Sequence, residues 1–144
     1  MVNGQKVIRG RAVCPGRARG SPLMASEPFM FAHGVQPETG EVIDVRSDIC
    51  GGNIEGKVLI YPFGKGSTTG SAWLLETIRR GKGPNAVINM EAEPIIVSAV
   101  TMARLLYQKT IPLVDRPEKD LSQLITANNL IEVDGNTGKI IILS

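Results

Sequence analysis

The feature of this sequence that most constrains its fold is an alternation of short apolar runs with helical patterns between residues 57 and 114. The apolar runs are "KVLIYP", "NAVINM" and "IPLV", and short continuous runs of this kind are typical of buried strands. Between them, apolar residues recur at three- and four-residue spacing, which is typical of amphipathic helices. This β–α–β–α–β order predicts a layered α/β domain with a central sheet.

The two helical segments carry their own start and stop signals. The first follows residue 66, has Ala72, Leu75 and Ile78 or Arg79 at helical spacing, and ends at the basic residues and glycines of "RRGKGP". The second is "EPIIVSAVTMARLLYQ", with a glutamate and a proline in its first turn. We therefore predict two main helices.

The segments on either side of this unit are predicted to be β structure. Before it, "KVIRGRAV", "SPLMAS" and "EVIDV" are predicted as strands, separated by glycine-bearing turns such as "CPGRARG" and by a β-turn at residues 37–40. After it, "LIEVDGNTGKIIIL" predicts a C-terminal hairpin with a tight turn at residues 134–138. The length of 144 residues and the 42% hydrophobic content suit one core, so we expect a single domain over residues 1–144.

Composition argues against several kinds of partner. The formal net charge is only +2 and 4% of the residues are aromatic, so the chain lacks the basic excess and the stacking platform that nucleic-acid binding needs. No stretch has the apolar length of a transmembrane helix, and the N-terminus lacks the apolar core of a signal peptide. We expect a cytoplasmic protein that binds neither nucleic acid nor membrane.

The metal-binding residue types are few and widely spaced. Cys14 and Cys50 form no CxxC pair, and His33 is the only histidine. No zinc or iron–sulfur site has recognisable spacing here, so any metal must come from elsewhere. We expect both cysteines to be buried small hydrophobic residues.

The segment "YPFGKGSTTGSAWLLE" places glycines and hydroxyl side chains between a predicted strand and a predicted helix. Such a loop presents backbone N–H groups at a helix N-terminus, where the helix dipole favours an anion. In a second interpretation, Ser67, Thr68 or Thr69 is only the N-cap of the helix and the glycines permit a tight turn. Both interpretations remain open from the residues alone.

Two common catalytic loops do not match this segment. In a Walker-type phosphate loop, Gly-Lys is followed directly by Ser or Thr, whereas Gly64 and Lys65 are followed by Gly66. The G-x-S-x-G elbow of a serine hydrolase is also absent around Ser67. A P-loop ATPase and a serine hydrolase are therefore rejected.

Two motifs in this chain resemble those of a known family. Residues 34–44 resemble the turn G-V-D-P-x-T-G-x-I-x-D, and residues 64–71 resemble the loop G-[KR]-G-S-[ST]-x-[GA]-S. Together with "IPLV" and the terminal "VDGNTGKI", they resemble the small, swivelling subunit of the aconitase X group over nearly the whole chain. The resemblance implies a swivelling β/β/α domain, with a layered central sheet, two main helices and a C-terminal β-hairpin.

The resemblance also implies an activity. It implies a hydro-lyase, or dehydratase, that is active only as a heterodimer with a large aconitase-like subunit holding an iron–sulfur cluster, while this chain binds no cofactor. The favoured substrate is (R)-5-phosphomevalonate of the mevalonate route to isoprenoids; cis-3-hydroxy-L-proline is the alternative. Ser67 matches the serine that accepts the substrate proton. The residues expected to contact a small anionic substrate are Gly66, Thr68, Thr69, Gly34 and His33.

The chain departs from the family pattern at one point. The usual Gly-Gly-Val-Asp-Pro is replaced by His33-Gly34-Val35-Gln36-Pro37, which removes an acidic group and adds an imidazole. Either these changes alter specificity, or His33 is a partly exposed loop residue and Gln36 a turn residue. Two other functions stay open: a phosphocarrier-like swivel domain, which would need a histidine that residues 64–71 lack, and a non-catalytic anion-binding module.

Overall fold

The computed structural model describes residues 5–66 and 68–143. These residues form nine strands, two α-helices and a 3-10 turn at Leu121–Gln123. The strands are β1 (Lys6–Arg9), β2 (Arg11–Cys14), β3 (Arg17–Gly20), β4 (Pro22–Met24), β5 (Val58–Tyr61), β6 (Ala86–Asn89), β7 (Leu113–Asp115), β8 (Leu130–Asp134) and β9 (Lys139–Leu143), and the helices are α1 (Thr69–Arg79) and α2 (Pro94–Tyr107).

The strands form two sheets. One is antiparallel throughout, with the order β1-β9-β8-β3. The other has the order β2-β7-β6-β5-β4, in which β4 to β7 are parallel and β2 is antiparallel to β7. Parallel strands need crossover connections, and α1 and α2 supply them between β5, β6 and β7.

Two separate cores make the layers. Val58 and Ile60 pack between the two sheets, whereas Leu59 and Tyr61 pack beneath the helices. Because successive side chains of a strand point to opposite faces, β5 is buried on both sides. The predicted α/β class and layered β/β/α arrangement are confirmed.

The turns predicted at residues 37–40 and 134–138 are present, and each depends on a glycine. Gly138 donates from its N–H to the Asp134 carbonyl at 2.8 Å and has a φ of 86°, so the hairpin turn needs the left-handed conformation that glycine favours. In the turn at residues 37–40, the Gly40 N–H donates to the Gln36 carbonyl at 2.7 Å, and Gly40 has a φ of 80°. β5, β6, β7, α1, α2 and the C-terminal hairpin are all found where the sequence predicts them.

Three predictions for the N-terminal part are wrong. "EVIDV" is not a strand, because Glu41 and Val42 form only isolated bridges. "CPGRARG" is not only a turn, because it contains β3. "KVIRGRAV" is two strands in different sheets, divided at Gly10, where a Cβ would lie 2.6 Å from the Asp115 carbonyl oxygen.

The buried face of α1 also differs from the predicted one. Ile78 is buried as expected, but Ala72 is exposed and Leu75 only half-buried. Thr77 takes an inward position instead, because its hydroxyl donates to the Trp73 carbonyl at 2.9 Å and so needs no other partner. A pattern of hydrophobic residues does not predict the burial of a polar side chain that forms its hydrogen bond within its own helix.

Gly70 completes the buried face of α1 by allowing close contact with α2. A Cβ at Gly70 would lie 3.1 Å from Ile95 Cγ2, and Ser71 Oγ donates to the Ile95 carbonyl at 2.8 Å. This contact brings the N-termini of the two helices side by side at the same edge of the sheet.

Candidate functional site

Residues 29–35 form a segment that pairs with the glycine-rich loop before α1. Phe29 donates from its N–H to the Phe63 carbonyl at 3.1 Å and accepts from the Lys65 N–H at 3.0 Å. These two bonds form a parallel bridge between Phe29 and Gly64. The loop that enters α1 is therefore attached to this segment by its backbone.

The other side of the same segment holds residues 41–46. The Gly34 carbonyl accepts from the N–H groups of Ile43 at 2.9 Å and Asp44 at 3.4 Å. Gly34 is buried, and a Cβ there would overlap the Met30 carbonyl oxygen. Only glycine fits this position, so the motif glycine has a packing role. Its contact with a substrate stays a prediction.

Thr68 does not cap the N-terminus of α1 with its side chain. Thr68 occupies the N-cap position in helical conformation, and its hydroxyl makes no capping hydrogen bond. The interpretation of Thr68 as a simple N-cap is therefore not supported. Thr68, Thr69 and Gly66 are exposed, and Gly66 has a φ of 112°. Ser67, the predicted proton acceptor, lies outside the described residues.

The N-terminus of α2 is occupied by its own carboxylate. Glu93 accepts from the N–H groups of Ile95 at 2.9 Å and Ile96 at 3.3 Å. A Cβ at Gly64 would lie 2.5 Å from Glu93 Oε1, so the loop lies directly against this carboxylate. The two neighbouring helices thus differ: Glu93 caps α2 internally, whereas Thr68 gives α1 no such cap.

His33 lies at the edge of the candidate site, where its ring contacts an aromatic side chain of α1. It is exposed, has a φ of 60°, and its ring lies 4.5 Å from that of Trp73 on α1. Trp73 in turn donates from Nε1 to the Val35 carbonyl at 2.5 Å. A groove borders this contact, lined by Gln36, Pro37, Glu38, Thr69, Ala72, Trp73 and Glu76.

The structure therefore gathers the five described residues of the predicted site on two joined segments. Gly34 and His33 belong to residues 29–35, while Gly66, Thr68 and Thr69 belong to the loop paired with that segment. Four of them are exposed, and Gly34 offers only its backbone. Their roles toward a substrate stay predictions.

A charged cluster beside them was not predicted. The Asp44 carboxylate accepts from the Arg46 N–H at 3.0 Å and from Arg46 Nε at 3.2 Å. The backbone N–H of Arg46 is the main reason that the pKa of Asp44 is lowered; burial opposes the shift, and the charges of Arg46 and Lys65 add to it. The sequence contained a signal for these charged residues, because Asp44 is the last residue of the 34–44 motif and Lys65 lies in the 64–71 motif.

Two buried polar atoms lie at the carboxyl ends of β5 and β6. The Tyr61 hydroxyl and Asn89 Oδ1 have no hydrogen-bond partner in the described part of the chain, although Asn89 Nδ2 donates to the Tyr61 carbonyl at 3.1 Å. Burial raises the pKa of Tyr61 strongly, and the charge of Glu93 adds to this, so the hydroxyl stays protonated. Sequence reasoning missed this pair because both residues are part of apolar strands.

A bidentate ion pair supports the neighbouring loop between β6 and α2. Arg11 donates to both oxygens of Asp115 at 2.8 and 2.7 Å, and the Ala92 N–H donates to the same carboxylate at 2.8 Å. Burial raises the pKa of Asp115, but these donors outweigh burial and lower it. The carboxylate therefore fixes the loop that leads to Glu93.

The described residues contain no group of three or more His, Cys, Asp or Glu side chains that could hold a metal ion. Cys14 is buried as expected, but Cys50 is exposed, so that prediction is wrong. In the same ranges, no helix has the length and apolar character needed to cross a membrane.

The fold and these motifs define a swivel domain, and the chain belongs to the aconitase X swivel domain family, which matches residues 7–142. A crystal structure of Thermococcus kodakaraensis aconitase X superposes with a TM-score of 0.84 at 37% identity, over 96% of this chain and 99% of that one. The predicted family is confirmed.

Two relatives indicate the particular kind of protein. The phosphomevalonate dehydratase small subunit of Methanothermobacter thermautotrophicus is 42% identical over 90% of this chain and 95% of its own. That of Methanocella arvoryzae is 38% identical over 91% and 95%. These names agree with the prediction of a dehydratase small subunit.

Proposed function

We propose that this chain is the small subunit of a cytoplasmic phosphomevalonate dehydratase, and that it acts as a single swivel domain over residues 1–144 in a heterodimer with a large aconitase-like subunit. The single observation that carries the proposal is the pairing of residues 29–35 with the loop that enters α1, beside a helix N-terminus that Thr68 leaves without a capping bond. The names of the relatives and their near full-length similarity support the substrate.

In this proposal Ser67 accepts the proton that dehydration removes from the substrate. A serine hydroxyl is a weak base, and each unit by which its pKa falls corresponds to about 1.4 kcal/mol of selective stabilisation of the alkoxide. A helix N-terminus supplies part of this stabilisation through its partial positive charge. The role of Ser67 rests on the loop motif, because the residue lies outside the described ones.

The other predicted residues would bind and orient the substrate. Gly66 and Thr68 present backbone and hydroxyl groups at the entry to α1, with Thr69 at its first position. His33 stands at the rim against Trp73, and Gly34 holds the segment in place. Together they would line one wall of a cleft that the large subunit closes.

We assign the iron–sulfur cluster to the large subunit. Within residues 5–66 and 68–143 the donor side chains do not form a group of three or more that fits a cluster, and of the two free cysteines one is buried and one is exposed. The expulsion of the substrate hydroxyl is therefore left to the partner, and this chain supplies proton transfer and orientation.

The proposal is tested by purifying the tagged chain with its partner from its own cells, measuring iron, and assaying dehydration of phosphomevalonate and cis-3-hydroxyproline. We expect an iron-containing heterodimer that dehydrates phosphomevalonate. Ser67→Ala should reduce kcat by about 100- to 10,000-fold without dissociating the complex. Ser98→Ala, at an exposed position of α2, is the matched control and should keep full activity.

Three results would contradict the proposal. Turnover by the isolated chain without iron would reject the heterodimer. Retained turnover in Ser67→Ala would favour a non-catalytic anion-binding module. Activity on cis-3-hydroxyproline alone would reject the assigned substrate.

A further inference from the structure

The first turn of α2 contacts the glycine-rich loop shortly after the loop leaves β5. At this turn, Glu93 Oε2 accepts from the Ile95 N–H at 2.9 Å, and Glu93 Oε1 accepts from the Ile96 N–H at 3.3 Å. A Cβ added at Gly64 would lie 2.5 Å from the same Oε1 and 3.1 Å from the carboxylate carbon. One carboxylate therefore caps α2 and occupies the space that a side chain at residue 64 would take.

This contact, rather than the backbone conformation, is what requires glycine at residue 64. Gly64 has no positive φ and forms a β-bridge with Phe29, whereas Gly66 in the same loop has a φ of 112°. Residues with a side chain adopt extended backbone readily. Apart from the chain neighbours of Gly64, the three atoms nearest to its Cβ position all belong to Glu93. A side chain at residue 64 is therefore excluded by Glu93.

Both partners of this contact are held in place from behind. On the side of α2, the Ala92 N–H donates to the Asp115 carboxylate at 2.8 Å, and the Asp115 side chain is fully buried. On the side of the loop, the Lys65 N–H donates to the Phe29 carbonyl at 3.0 Å. Glu93 therefore cannot withdraw without breaking the bond at Ala92, and the loop cannot shift without breaking the bond at Lys65.

The same turn of α2 also contacts the far end of the loop. A Cβ at Gly70 would lie 3.1 Å from Ile95 Cγ2, and Ser71 Oγ donates to the Ile95 carbonyl at 2.8 Å. In the sequence, Ser67 stands between these contacts and the one at Gly64. The first turn of α2 therefore holds the chain on both sides of the predicted proton acceptor.

We propose that Glu93 is a positioning residue for the dehydration, because its carboxylate sets the position of the glycine-rich loop through Gly64 and so the position from which Ser67 takes the substrate proton. This inference rests on the proposed function, which gives Ser67 that role. A base must lie within hydrogen-bond reach of the proton that it removes, and a displacement of about 1 Å costs on the order of 100-fold in rate. Glu93 acts by its shape and its capping bonds and takes no part in proton transfer.

The test is a double-mutant cycle between Gly64→Ala and Glu93→Ser in the intact heterodimer, measured as kcat and KM for phosphomevalonate. Gly64→Ala should lower kcat about 100-fold and change KM less than about threefold, because the added methyl group pushes the loop away from Glu93. Serine is a good N-cap residue, so Glu93→Ser keeps the first turn of α2 and removes the carboxylate.

The cycle is expected to show strong coupling between the two positions. Glu93→Ser alone should lower kcat about 10-fold, because the loop loses the group that it lies against. In that background the methyl group of Gly64→Ala enters the vacated space, so it should lower kcat less than about threefold further. The double variant should therefore be more active than Gly64→Ala alone.

Two further variants separate positioning from other roles. Glu93→Gln keeps the size of the side chain and removes its charge, so it should change kcat less than about threefold, whereas a role in proton transfer would make it costly. Gly66→Ala is the matched control within the loop. Its loss arises from the φ of 112°, and the nearest atoms to its Cβ position belong to Met30 at 3.7 Å. Glu93→Ser should not restore it.

Hydrogen exchange gives a second readout that does not depend on turnover. The Lys65 amide, which donates to Phe29, should exchange about 10-fold or more faster in Gly64→Ala than in the wild type. Its rate should return toward the wild-type value in the double variant. The Gly138 amide, which donates to Asp134 in the C-terminal hairpin, should keep its rate in every variant and so reports on general destabilisation.

Turnover and exchange together distinguish the two proposals. No effect of Gly64→Ala on kcat, or an equal loss in both backgrounds, would overturn the positioning role while turnover by the wild-type complex still upholds the dehydratase. A loss in Glu93→Gln as large as that in Glu93→Ser would overturn it as well. If the wild-type complex has no turnover, the dehydratase is rejected, and restored protection of Lys65 in the double variant would still uphold Glu93 as the residue that fixes the loop.

Discussion

At the scale of single residues, the lack of a side chain at Gly34 permits the close backbone packing on which the candidate site depends. The segment on which it lies pairs with the glycine-rich loop on one side and with Ile43 and Asp44 on the other. A Cβ at Gly34 would overlap the Met30 carbonyl oxygen, which belongs to the same segment. The backbone would have to move, and both attached loops would move with it.

We therefore expect Gly34→Ala to lower the free energy of unfolding by about 3 kcal/mol, at the upper end of overpacking costs. Gly81→Ala is the control, because Gly81 has a φ of 76° and nothing within 4 Å of its Cβ position, so it carries only the backbone cost of about 1 kcal/mol. Urea unfolding of both variants measures the difference. Equal losses would mean that the contact with Met30 relaxes without cost.

At the scale of elements, the two helices that border the site differ in what occupies their N-termini. The carboxylate of Glu93 caps the N-terminus of α2, and Gly64 lies against it. α1 begins beside this carboxylate without a capping bond from Thr68. The same sheet edge therefore carries one helix end that its own carboxylate caps and one that receives no capping bond from Thr68.

Glu93→Ala should lower the free energy of unfolding by about 1 kcal/mol, because the N–H groups of Ile95 and Ile96 lose their acceptor. Hydrogen exchange at these two amides should accelerate locally. Glu27→Ala, at an exposed glutamate outside both helices, should change neither quantity. Unchanged exchange in Glu93→Ala would show that the cap does not hold the first turn of α2.

At the scale of the whole molecule, carboxylates with lowered pKa values join distant parts of the chain. Glu132 on β8 lies between Arg17 and Arg19 of β3, and its hydrogen bond from Arg17 is the main reason that its pKa is lowered. Asp115 is held by Arg11 across β2 and β7. A carboxyl group whose pKa is lower in the folded state stabilises the fold above its unfolded pKa and loses this contribution as the pH falls.

The free energy of unfolding should therefore be largest above about pH 5 and fall progressively between about pH 5 and pH 2, since unfolded Asp and Glu titrate near 4. Glu132→Gln should lower stability by about 1 kcal/mol at pH 7 and flatten this acid dependence. Denaturant unfolding at several pH values measures both effects.

Glu76→Gln is the matched control for that experiment. Arg79 and Arg80 lower the pKa of Glu76 to about 2, but its side chain is 36% exposed on the surface of α1. Solvent and salt screen such pairs, so Glu76→Gln should change the acid dependence less than Glu132→Gln, and least at high salt. A larger effect from Glu76 would contradict the assignment of acid sensitivity to the inter-strand pairs, in which the carboxylates of Glu132 and Asp115 are the more buried partners.

The sequence by itself determined the elements whose signals are local. β5 to β7, both helices and the hairpin turn follow from periodicity and from glycines in turns, because short-range sterics and burial decide them. The motifs of residues 34–44 and 64–71 were also sufficient to identify the family. The role of Ser67 stays a prediction from the motif.

Only the tertiary structure decided which segments meet. "EVIDV" has a strand-like pattern but gains only isolated bridges, while the charged segment Arg17–Gly20 becomes β3 because Glu132 stands opposite its arginines. In the same way, backbone hydrogen bonds of Lys65 to Phe29 and of Asp44 to Gly34 attach both motifs to residues 29–35. Strand partners and charge clusters depend on contacts between residues distant in sequence, and no local pattern encodes those contacts.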